Sequence, residues 1–168
     1  MKLVEKFEII ELEEFTGNGA AIYSIALGDD EETLFDRFVK ENENTYPDEI
    51  NSIVERLKAI ARLGARPGYF KDKEGRLGMG DGIEALYDEP NSNLRLYCIR
   101  YGTIAIILGG GGFKSKEIRA FQEDAKLTEE NYLLRTISIR INKAIKEGVI
   151  QWDGNCLTGD LLIDDTDA

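Results

Sequence analysis

The chain has 168 residues, 42% of them apolar, carries a net charge of −11 and contains no histidine, which suits one packed domain rather than a disordered chain. The missing histidine excludes imidazole acid–base catalysis, and Cys98 and Cys156 have neither the spacing of a zinc site nor the number for a disulfide framework. No run of about 18 apolar residues occurs and residues 1–6 are too charged for a signal-peptide core, so a reduced, cytoplasmic setting without membrane, metal or cofactor is expected.

Residues 7–13 alternate imperfectly and predict a strand. Thr16-Gly17-Asn18-Gly19 is a turn signal, and the apolar run Ala21–Leu27 completes an N-terminal β-hairpin. Asp30 is the expected N-cap of a first helix, with Glu31 and Glu32 in its first turn and Leu34, Phe35, Phe38 and Val39 as its buried stripe. Pro47 opens a second helix, where its missing N–H costs nothing, and Gly64 stops it. Ile50, Ile53, Val54, Leu57, Ile60, Ala61 and Leu63 recur between them at helical spacing, which makes a helical hairpin.

Residues 66–81 are rich in glycine and charge and predict a long loop holding at most a short strand. Three strands then follow, over residues 82–87, Leu94–Tyr101 and residues 103–108, with Gly102 and Thr103 turning the chain. Their pattern predicts an antiparallel meander whose last, continuously apolar member is covered on both faces. Thr128 is the expected cap of a final helix that buries Leu133, Leu134, Ile137, Ile141, Ala144 and Ile145 and ends at Gly148. Arg135, Arg140, Lys143 and Lys146 fall on its other arc, as a basic face or as ordinary solvated surface. The expected fold is therefore α+β. It has a small antiparallel sheet packed against a helical hairpin and a C-terminal helix, with the N-terminal β-hairpin as an extension. Residues 1–150 form the domain and residues 151–168 a frayed acidic tail.

Charge and glycine mark where chemistry would sit. Residues 1–60 hold 6 Lys/Arg against 15 Asp/Glu, residues 61–150 hold 15 against 12, and residues 151–168 hold none against 5. A mildly basic middle permits a polyanion site, although the acidic flanks oppose one. Within it, Gly109-Gly110-Gly111-Gly112 precede Phe113-Lys114-Ser115-Lys116. Such glycines let backbone N–H groups approach a phosphate, and equally suit a bulge or a strand exit. A nucleotide-binding P-loop would place glycine directly before the Lys-Ser pair, where Phe113 stands.

The order strand, helix, helix, strand, strand, strand resembles the RelE/HigB/ParE toxin superfamily. The matching segments are Arg95-Leu96-Tyr97, the turn at Tyr101-Gly102, the apolar run Ile104 to Leu108, and Phe113-Lys114-Ser115-Lys116. The resemblance covers roughly residues 20–125 and implies a metal-independent endoribonuclease acting on mRNA, alone or on the ribosome. It implies that Arg95 contacts the scissile phosphate, that Lys114 and Lys116 supply charge beside it, and that Arg119 adds a clamp. Tyr97 and Tyr101 would stack on a base or shuttle a proton, and Gly111 and Gly112 would line the substrate. The chain departs from the family at Tyr87, where a Glu-Leu-Arg arginine is usual, and at Phe121, where some ribonuclease members carry a tyrosine. These departures suit equally a catalytically inactive toxin-fold module that binds an antitoxin-like protein.

Overall fold

The computed structural model describes residues 4–71, 82–86, 92–114 and 125–164. The fold is α+β, with helices on both faces of a mixed, mostly antiparallel sheet of seven strands, so the sheet is larger than the small antiparallel one expected. The strands are β1 (Lys6–Glu11), β2 (Ala21–Leu27), β3 (Phe70–Lys71), β4 (Ile83–Leu86), β5 (Leu94–Tyr101), β6 (Ala105–Phe113) and, after a separate hairpin of β7 (Ile150–Asp153) and β8 (Cys156–Gly159), β9 (Leu162–Asp164). Their order across the large sheet is β3-β4-β5-β6-β2-β1-β9. The β6 strand lies at its centre, and β2 beside it is antiparallel to β1 and parallel to β6. The β2 strand is apolar apart from Ser24 and the Tyr23 hydroxyl and is buried almost throughout, since both faces of an inner strand are covered.

The three described helices are α1 (Leu34–Asn42), α2 (Pro47–Leu63) and α3 (Ala125–Lys146). One face of the sheet packs Ile22, Leu96, Cys98, Ile106 and Leu108 against Phe35, Phe38, Leu57 and Ile60 of α1 and α2. The other packs Tyr23, Ile25, Tyr97, Ile99 and Ile107 against Leu127, Leu134, Ile137 and Ile141 of α3.

Pro47 and Gly64, the latter at φ +100°, bound α2 as the turn chemistry predicts. The N-cap of α1 is Thr33, not Asp30. The Thr33 hydroxyl accepts from Asp36 N and the Asp36 carboxylate accepts from Thr33 N, a reciprocal capping box. Asp30 instead belongs to the turn that leaves β2, its N–H bonded to Leu27 O. Thr128 lies inside α3, one turn after Ala125. Arg140 is no part of a basic face: its guanidinium donates to Val4 O and Glu5 O and lies 4.8 Å over the Phe7 ring, fastening the start of β1.

Residues 151–164 form strands rather than a frayed tail. Ile150 and Leu157 are buried in the α3-side core, Leu157 N donates to Tyr23 Oη, and β9 pairs with β1 from Lys6↔Asp164 to Glu8↔Leu162. Apolar residues placed between the acids (Ile150, Trp152, Leu157, Leu161, Ile163) supply the packing. Among the described residues no helix is long and apolar enough to cross a membrane.

Candidate functional site

The site forms where β5 begins and β6 ends. The register sets Leu94 opposite Phe113 and Arg95 opposite Gly112, and Lys114 N donates to Asn93 O at 2.8 Å. Arg95 and Lys114, 19 residues apart in sequence, are thereby brought to one end of the hairpin. Glu49 in the first turns of α2 anchors that end. Its carboxylate accepts from Asn93 N and Asn93 Nδ2, both at 2.7 Å, and from Leu94 N at 3.1 Å. Phe113 stacks on Tyr46, with ring centroids 6.3 Å apart.

The glycine run is part of β6, which continues through it to Phe113. Leu96 faces Gly111 while Cys98 faces Leu108, so Gly109 and Gly110 together oppose Tyr97 in a β-bulge. A bulge aims two successive residues at one face, and here both meet the face covered by α3. A Cβ on Gly109 would stand 2.7 Å from Leu134 Cδ2, and one on Gly110 would overlap the carboxylate of Glu130. One on Gly111 would overlap the carbonyl oxygen of Arg95, and one on Gly112 would stand 3.1 Å from Lys126 Cγ. All four glycines are buried, so the run spares volume for neighbouring groups instead of forming a loop around a phosphate.

Charge gathers around this clearance. Arg37 of α1 and Lys126 of α3 both pair with Glu130 of α3, Lys126 Nζ at 3.0 Å, and Lys126 lies 3.6 Å from Glu41. The Glu130 side chain is 3% exposed, whereas those of Arg37 and Lys126 are 34% and 43% exposed. Arg95 and Lys114 belong to the same end of the sheet, which gathers these four cations with Glu41, Glu49 and Glu130. Such an array attracts an anionic ligand and stabilises negative charge developing on one. Among the described residues, no group of three or more His, Cys, Asp or Glu comes together in a way that could hold a metal ion.

Other expected site residues lie elsewhere. Tyr97 is wholly buried beneath α3. Tyr101 occupies the opposite end of β5, roughly 20 Å along the strand from Arg95. Its hydroxyl donates to Asn142 Oδ1 at 3.3 Å, its ring meets Trp152 edge-on at 5.2 Å, and burial raises its pKa. Neither tyrosine sits where it would stack on a base held at Arg95. Lys116 and Arg119 lie outside the described residues. Sequence reasoning missed Arg37, Glu49, Lys126 and Glu130. The i, i+4 spacing of Lys126 and Glu130 was a legible local signal, but nothing in the sequence ties either one to Arg37. Compared with known proteins, the chain matches no family model, no curated protein and no solved structure.

Proposed function

We propose that this is a RelE/HigB-like toxin-fold protein that cleaves RNA without a metal at the Arg95–Lys114 end of its sheet. The observation that carries the reading is the β5–β6 register, which joins the two cations that the resemblance singles out. The succession of β2, α1, α2 and the antiparallel strands β4, β5 and β6 supports it, being the strand–helix–helix–meander order on which the resemblance rests. In this reading the substrate's 2′-hydroxyl loses its proton to water and its oxygen attacks the adjacent phosphorus, where Arg95 and Lys114 stabilise the added negative charge. The P–O5′ bond breaks as the 5′-oxygen takes a proton from water, leaving a 2′,3′-cyclic phosphate and a 5′-hydroxyl. Lys116 and Arg119 supply further charge. A cytoplasmic setting and an mRNA or ribosome-bound substrate belong to the same proposal.

The test is cleavage of mRNA by purified protein in EDTA buffer, with and without ribosomes, beside growth of cells expressing it. Wild type is expected to cleave and to arrest growth, and Lys114→Ala to lower the rate by about 100-fold or more with its fold intact. No cleavage in either setting together with harmless expression would end the reading. The net charge of −11 and the exposed Ile139 on the outer face of α3 favour a second reading, an inactive module that binds an antitoxin-like protein. Recovery of a stoichiometric protein partner without RNA would favour that one.

A further inference from the structure

Glu130 is the most deeply buried carboxylate at this end of the molecule, and its setting is not one that stability explains. Its Oε1 accepts from both Arg37 and Lys126. Its Oε2 lies against β6, in the space a Cβ on Gly110 would fill. That oxygen and Arg37 Nε are buried without a hydrogen-bond partner among the described residues. A buried polar atom left unpaired destabilises the fold, and apolar residues of similar volume commonly replace a buried ion pair at no loss. An arrangement that sacrifices stability, and needs a glycine to make room, belongs with features kept for function.

The geometry points to that function. The acid lies underneath and the two cations remain a third or more exposed above it. Arg37 and Lys126 carry more N–H donors than Glu130 and Glu41 engage, and those on their exposed sides can reach a ligand. On the α3-side face of β6, positions 110, 112 and 114 step along the strand at about 7 Å each. Position 110 meets Glu130 and Arg37, position 112 meets Lys126 and pairs with Arg95, and position 114 is the lysine itself.

We infer that Glu130 is a positioning residue that holds Arg37 and Lys126 as a second phosphate-binding pair, extending the Arg95–Lys114 end across α1 and α3. The inference rests on the RNA reading above and names which further backbone phosphates the substrate would lay on the protein. It also makes a counter-intuitive demand. Removing the negative charge of Glu130 should weaken RNA binding, because the loss of order in two cations outweighs the gain in net positive charge.

The experiment is binding of a fluorescein-labelled single-stranded RNA oligonucleotide, followed by anisotropy from about 50 to 200 mM salt. Wild type, Arg37→Gln, Lys126→Gln, Glu130→Gln and Arg95→Gln are compared, with thermal unfolding run in parallel. If Arg37 and Lys126 each neutralise a phosphate, each glutamine lowers the steepness of log Kobs against log salt by about 0.7. Glu130→Gln is expected to bind several-fold more weakly than wild type at an unchanged fold. Tighter binding by Glu130→Gln would overturn the inference and show the carboxylate to be a competitor for the cations. So would unchanged slopes in Arg37→Gln and Lys126→Gln. If those two are silent while Arg95→Gln abolishes binding, the inference falls and the RNA reading stands. If wild type binds no RNA, both fall. Should Glu130→Gln fail to fold, the two half-exposed cations decide the matter by their slopes.

Discussion

The two halves of β6 make different use of one strand. From Ala105 to Leu108 it is flanked by β2 on one side and β5 on the other, and its side chains fill the core on both faces. From Gly109 onward the strand has left β2, bulges against Tyr97, and carries no side chain until Phe113. The departure is managed by Ser24, whose hydroxyl donates to Leu108 O at 2.7 Å and accepts from Phe35 N at 3.2 Å, seating α1 where the two strands part. The volume that the glycines yield is taken by Leu134, Glu130 and Lys126 of α3 and by Arg37 of α1. A strand covered by other strands and aliphatic helix faces must bring its own apolar atoms. A strand lying beneath charged helix residues must withdraw them, or the charges could not be brought against its backbone.

Substitutions along β6 and at its two ends test this contrast, from the largest effect to the smallest. Gly111→Ala is expected to cost about 3 kcal/mol in urea unfolding, because its Cβ meets the Arg95 carbonyl, a backbone group that cannot rotate away. Gly112→Ala should cost less than about 1 kcal/mol, since it meets only the Cγ of a flexible lysine. Equal costs at the two positions would break the picture of a packed run with one yielding neighbour.

The apolar end should answer to alkali. Burial raises the Tyr101 hydroxyl above its ordinary 10.0 and the Cys98 thiol above its ordinary 9.0, and it raises Tyr23 as well. Each of these groups keeps a proton in the fold that the unfolded chain releases. Their contribution is therefore complete below about pH 9 and is lost as pH rises through the ordinary values toward the folded ones. Tyr101→Phe should cost about 1 kcal/mol at neutral pH through the hydrogen bond to Asn142, and should flatten the fall in melting temperature above pH 10. An unaltered alkaline slope would show that Tyr101 is not the group being titrated.

At the charged end, Lys114→Ala should change stability by less than about 0.5 kcal/mol. Denaturant midpoints for the same preparation used in the cleavage assay would check this. A large loss would assign Lys114 to the fold instead of to a ligand.

Much of the frame was legible from local chemistry. Pro47 and Gly64 mark α2 because a missing N–H and a left-handed backbone are properties of single residues, and Leu94–Tyr101 reads as a strand from its own composition. The cap of α1 was misplaced because Asp30 and Thr33 are both competent caps, and the turn after β2 had already taken Asp30. The strands after residue 150 were hidden because each is only three or four residues long and acids and turn residues interrupt the apolar ones, which become strands only when Tyr23 and β1 are there to pair with them. Of the candidate site, Arg95 and Lys114 are named by the resemblance alone. Glu130 and Arg37 stand 93 positions apart, a separation at which no spacing rule operates.

What the sequence by itself determined is the set of elements and the apolar faces they must bury, because propensity, capping and hydrophobic periodicity act over a few residues. It determined as well that cations and glycines crowd the end of β6. Only the tertiary structure decided what those glycines are for. Space is a property of neighbours, and the residues that need the space above β6 come from two helices that close on it from different parts of the chain.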